Sequence, residues 1–188
     1  MNNQDIFKAV RNSRMILTEV YFWTSTIKDW KSLLKQDKYK ILILNTLNDL
    51  VSKQLISVYG FVIMPNHFHV LWELLKMNGK EMPHASFNKA IAHEIVKDLK
   101  ANHHAVLLHF KVEEKERKFR IWQRDPLAIL MDNKSKFEQK LNHIHNNPLA
   151  EKWNLAQTPE DYYWSSAAFY ESGIDNFGFM SHYSERLG

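Results

Sequence analysis

The chain contains no cysteine. Disulfides and thiolate-bound zinc are therefore excluded, and a reducing, cytoplasmic setting is expected. No apolar run reaches the roughly 18 residues that a membrane-spanning helix needs, so no membrane partner is expected. The opening Met1-Asn2-Asn3-Gln4-Asp5 lacks a charged stretch followed by an apolar one, the pattern of an export signal. Repeats and low-complexity segments are lacking too. The charge excess is small, a net +4 with a pI near 9.1, which permits a nucleic-acid partner without demanding one.

What is present is apolar and aromatic. Of 188 residues, 45% are hydrophobic and 13% aromatic. A chain of this length buries about 70% of its unfolded surface and needs no staples. One domain over residues 1–188 is expected, with residues 149–188 as an aromatic-rich, irregular extension wrapped over the body.

Periodicity orders the elements. Residues 15–24 are β-branched and aromatic and read as a strand. Ile43, Leu47, Leu50 and Val51 mark a helix over 38–53. Residues 55–63 and 67–74 read as a hairpin turning at Met64-Pro65-Asn66. After a polar connector, Phe87, Ile91, Ile95 and Leu99 mark a second helix. Residues 106–110 and about 127–131 read as further strands. Phe137, Leu141 and Ile144 form the apolar face of a third helix over 134–146, which Pro148 ends. The order β-α-β-β-α-β plus a final helix predicts an α+β fold, a ferredoxin-like antiparallel sheet with helices on one face.

His67-Phe68-His69 opens the second arm of the hairpin. Alternate side chains of a strand leave opposite faces, so both imidazoles share one face and Phe68 enters the core. Two imidazoles on a rigid strand are half a site for a divalent metal. On the third helix Lys136, Lys140, His143 and Asn147 form a stripe separate from the apolar one. A helix packed across the hairpin would bring that stripe to the pair. Two imidazole nitrogens and an amide oxygen suit Mg²⁺ or Mn²⁺ bridging to a phosphate better than structural zinc. His143 reads equally as a surface residue, and Asn147 as a helix end before proline. A basic stretch holds Lys111, Lys115, Arg117, Lys118, Arg120 and Arg124 against Glu113, Glu114 and Glu116. With Lys136 and Lys140 it offers contacts for nucleic acid, or a solvated loop. Trp122 and Gln123 are either core and cap or contacts to an unpaired base.

Four motifs then occur in order: Met64-Pro65-Asn66-His67-Phe68-His69-Val70-Leu71, Ile121-Trp122-Gln123-Arg124, Ile144-His145-Asn146-Asn147-Pro148-Leu149 and Pro159-Glu160-Asp161-Tyr162-Tyr163-Trp164-Ser165-Ser166. Together, over roughly residues 15–170, they resemble the single-tyrosine HUH transposases, in particular the REP-associated tyrosine transposases. The resemblance implies a ferredoxin-like fold and a protein that cleaves and transfers single-stranded or hairpin-flanked DNA, as a monomer or homodimer. It implies a metal held by His67, His69 and Asn147, and a helix tyrosine that attacks the scissile phosphate to leave a covalent protein–DNA intermediate.

The sequence departs from that pattern at one place. Where the family reads Tyr-Ile-x-x-Asn-Pro, this chain reads His143-Ile144-His145-Asn146-Asn147-Pro148. Three readings stay open. The chain binds DNA without cleaving it, or another tyrosine such as Tyr162, Tyr163 or Tyr170 attacks, or His143 attacks. A nuclease using metal-activated water is a further alternative.

Overall fold

A computed structural model describes residues 15–124 and 126–187. Residues 1–14, on which the expectation about an export signal falls, lie outside the described residues. The chain runs through β1 (Val20–Thr26), α1 (Asp37–Ser52), β2 (Ile56–Ile63), β3 (His67–Leu74), α2 (Pro83–Asn102), α3 (His104–Leu108), β4 (Leu127–Leu130), α4 (Lys134–Asn146), α5 (Ala167–Ser172) and α6 (Ser184–Leu187). The four strands form one antiparallel sheet in the order β2-β3-β1-β4, the ferredoxin-like arrangement expected from the sequence.

The sheet is buried on both faces. Phe68, Val70 and Trp72 of β3 pack with Tyr21 and Trp23 of β1 beneath α1 and α2, whose Ile43, Leu47, Phe87, Ile91 and Ile95 complete that core. The opposite face carries Val20 and Phe22, Tyr59 and Val62, and Leu71, under Phe137, Leu141 and Ile144 of α4. The two crossover helices thus share a face, and α4 covers the other. His67 and His69 alternate with Phe68 and so lie on the α4 face.

A register shift in β2 between Val58 and Gly60 sits under α4. A Cβ on Gly60 would lie 2.6 Å from Leu141 Cδ1, so glycine is what lets the helix approach. The tail covers the exposed edge of β2. Ile63 N–H donates to Trp164 O, Ser166 N–H to Phe61 O and Ser181 N–H to Val58 O. Pairing the edge in this way removes a template for aggregation.

Two sequence expectations are corrected. The first strand begins at Val20, not at residue 15, because Thr18 takes a left-handed φ of 65° and donates its N–H to Leu74 O. Residues 106–110 are not a strand. They fall on α3 and the turn after it, with Leu107 and Phe110 buried three residues apart, and short apolar runs do not distinguish the two states. The second helix also starts earlier than its apolar face, at Pro83, a residue suited to a first helical turn.

Candidate metal and nucleic-acid site

The cross-strand register fixes the surroundings of the histidine pair. Thr24 lies opposite His69, and Thr26 opposite His67. The two imidazoles are 4.7 Å apart and buried, with 6% and 8% of their residues' surface exposed. Each ring is held by its Nδ1. The His67 Nδ1 is 2.7 Å from Asn66 Oδ1, and the His69 Nδ1 is 2.7 Å from the Thr24 hydroxyl. Asn66 spends its amide N–H on Trp30 O, so its Oδ1 faces the ring and must accept. His67 therefore carries its proton on Nδ1 and keeps a lone pair on Nε2, the arrangement that second-sphere oxygens impose on metal-binding imidazoles.

His143 of α4 joins the pair, its ring 5.5 Å from His69 and 6.1 Å from Phe22, while Phe22 stacks on His69 at 5.0 Å. Lys140 lies one turn earlier, its ammonium 5.1 Å from the Phe22 ring. Beyond α4, Trp153 comes within 5.9 Å of His67, with the Lys152 ammonium 5.5 Å from the indole. Burial, then the charges of Lys152 and His143, pushes His67 down to about 4. Burial also holds His69 well below the usual imidazole range, helped by His67, His143 and Lys140. His143 is lowered by burial and by Lys140 and Lys152. All three rings are neutral at pH 7, and every charge acting on them is cationic or histidine.

The donor set fits a hard divalent ion only in part. Among the described residues, no three histidine, cysteine, aspartate or glutamate side chains gather closely enough to hold a metal by themselves. Neutral imidazoles with free Nε2 atoms are ready ligands, but the negative charge must come from elsewhere, and a phosphate supplies it. Asn147 caps the C-terminus of α4, half-buried. Its side-chain amide makes no hydrogen bond among the described residues.

The remaining residues with sequence-assigned DNA contacts separate into two groups. Lys136 and Lys140 lie on α4 with the histidines, Lys136 in an ion pair with Asp132 at 3.3 Å. Lys118, Arg120, Trp122, Gln123 and Arg124 lie along a groove of about 960 Å³ between α2 and residues 116–124. Lys89, His93 and Lys100 of α2 form its other wall. Arg120 and Arg124 both pair with Glu114. Trp122 is buried and donates its indole N–H to Asn88 O at 2.9 Å, so it floors the groove rather than projecting from it. Gln123 reaches the other site: its Oε1 accepts the Asp29 N–H at 3.3 Å.

Sequence reasoning missed Thr24, Trp30, Lys152 and Trp153 as neighbours of the pair. Only the strand register signals Thr24, and nothing local signals the others. The tyrosines at issue are engaged elsewhere. Tyr162 donates to Ile63 O and Tyr170 to Tyr59 O, and burial raises both hydroxyls, Tyr162 to about 12. The Tyr163 ring lies against Trp164 and Phe177.

No protein-family model matches the sequence, and no curated protein matches it. Among solved structures, the chain is similar to a REP-associated tyrosine transposase bound to a REP hairpin, with a TM-score of 0.58 and 17% identity over 90% of each chain. That likeness establishes a shared mixed α+β fold with a four-stranded antiparallel sheet.

Proposed function

We propose that this chain is a transposase-like DNA-binding protein of the HUH class that takes hairpin or single-stranded DNA at the face shared by β3 and α4. The observation that carries the reading is the His67/His69 pair, neutral and held by Nδ1 beside Lys140 and Lys152. In this reading His67 and His69 hold Mg²⁺ or Mn²⁺ through Nε2, and Asn147 gives an oxygen. Bound there, the cation supplies Lewis-acid polarisation of a DNA phosphate. The chain's own residues do the rest. Asn66 keeps His67 in one tautomer and Thr24 holds the His69 ring by its Nδ1, and Lys140 and Lys152 offer charge to the backbone. Fold likeness to a hairpin-bound transposase supports the reading.

Strand cleavage is absent from this reading because His143 holds the position where the resemblance places a tyrosine. Tyr162 and Tyr170 are tied to backbone carbonyls and hard to deprotonate. A second reading rests on the 5.5 Å between His143 and His69. In it a His143 nitrogen attacks phosphorus. A P–N bond forms, the P–O bond to the 3′ oxygen breaks, and that oxygen leaves with a proton as a hydroxyl.

The test is covalent trapping. The chain is incubated with labelled hairpin oligonucleotides and Mn²⁺ and run on a denaturing gel beside the His143→Tyr variant. The expected result is no adduct with the natural chain and an adduct with His143→Tyr. An adduct with the natural chain, mapped to His143 by mass spectrometry, establishes the second reading; product turnover without an adduct points to activated water.

A further inference from the structure

Residues Lys28–Trp30 form a tight turn at the end of β1 in which two consecutive residues, Asp29 and Trp30, take left-handed φ values of 57° and 56°. Neither is glycine. Such conformations are costly for residues with a Cβ and persist only where the surroundings over-determine them. Here they do. Trp30 N–H donates to Ile27 O at 2.9 Å, Asn66 Nδ2 donates to Trp30 O at 3.2 Å, and Asp29 N–H donates to Gln123 Oε1 at 3.3 Å.

The outcome of this strain is an exposed indole. Trp30 is 61% exposed, and its ring meets His67 edge-on at 6.5 Å. Tryptophan is highly buried on average, so a large exposed one on a braced turn is informative. Trp153, on its own side of His67, is half-buried and packs. Trp30 instead keeps most of its surface open within one ring's reach of the pair. The same Asn66 side chain binds the Trp30 carbonyl and the His67 Nδ1, so indole and imidazole are positioned by one group.

We infer that Trp30 is a stacking platform for an unpaired nucleobase, holding single-stranded DNA next to the His67/His69 pair. The inference rests on the DNA-binding reading and adds to it the ligand class and a residue outside the assigned DNA contacts. An unpaired base fits because every base has a π-face, whereas bases inside a duplex are stacked already. Lys28 and Lys31 flank the turn. Lys28 is engaged with Asp29 at 2.5 Å, which leaves the indole as the turn's main offering. Gln123 acts here as a positioning residue for the platform.

The test uses the full chain and two labelled probes, a blunt DNA hairpin and the same hairpin with a single-stranded flank carrying 2-aminopurine. Stacking on an aromatic side chain contributes about 1–3 kcal/mol per base, so Trp30→Ala should weaken binding of the flanked hairpin about tenfold. Binding of the blunt hairpin should stay unchanged, and quenching of 2-aminopurine should be lost. Trp30→Tyr should restore both, and Leu108→Ala, at an exposed residue of α3, should change neither. Flanked binding and quenching indifferent to Trp30→Ala would overturn the inference alone, as would equal losses on both probes. Failure of the natural chain to bind either probe would overturn the DNA-binding reading and this inference with it.

Discussion

Acid should destabilise this protein at pH values where most domains of its size are still stable, and buried histidines are the reason. His67 and His145 are pushed down to about 4, His145 by burial alone, and burial holds His69 well below the usual imidazole range. An unfolded imidazole takes up its proton near 6.5. Below that value the unfolded chain binds protons that the folded chain refuses. Stability is therefore fully present above 6.5 and is lost as pH falls toward 4. Each group contributes a slope of up to about 1.4 kcal/mol per pH unit, or about 2 kcal/mol by pH 5. Shifts of this size at several sites are a sizeable fraction of the stability of an ordinary domain, roughly 5–15 kcal/mol. Carboxylates do not confuse the window. Asp98, pulled to about 2 by hydrogen bonds from Lys38 and Tyr39, loses its contribution only below its ordinary 3.8. Urea midpoints followed by tryptophan fluorescence at pH 7, 6 and 5, with chelator present, should fall steeply. His145→Gln should make that slope shallower. A midpoint that is level between pH 7 and 5, or a slope unchanged in His145→Gln, refutes the reasoning.

Gly60→Ala should destabilise the chain by about 1–3 kcal/mol in urea unfolding. Its methyl would meet Leu141 Cδ1 at 2.6 Å, and that buried side chain would have to repack beneath α4. Ser166→Ala should cost a similar amount. Its hydroxyl accepts the Phe61 N–H at 2.9 Å and meets His145 Nε2 at 2.9 Å, and both would be left buried without a partner.

Much of the sheet was legible in the sequence because period and punctuation agreed. The limits of β3 at His67–Leu74 and α4 at Lys134–Asn146 coincide with the alternation of His67, Phe68 and His69 and with the Phe137/Leu141/Ile144 stripe. Residues 106–110 were misread because a stretch this short carries no period. Within the site, the histidine pair and His143 were legible from their spacing. The partition of basic residues was not. Lys118 through Arg124 adjoin the Trp122 motif in sequence, yet they line a groove against α2 and are partly neutralised by Glu114. Trp30 was invisible, because its turn is held by Asn66 and Gln123 in bonds that span 36 and 94 residues and exist only after folding.

The measurement that tests the account most directly is hairpin-DNA binding by fluorescence anisotropy as Mn²⁺ is titrated, for the natural chain and for a variant carrying His67→Ala and His69→Ala. The account predicts that Mn²⁺ tightens binding by the natural chain and leaves the variant's binding at its metal-free level. A natural chain whose binding ignores Mn²⁺, or a variant that responds to it equally, would contradict a metal-assisted DNA site at this face.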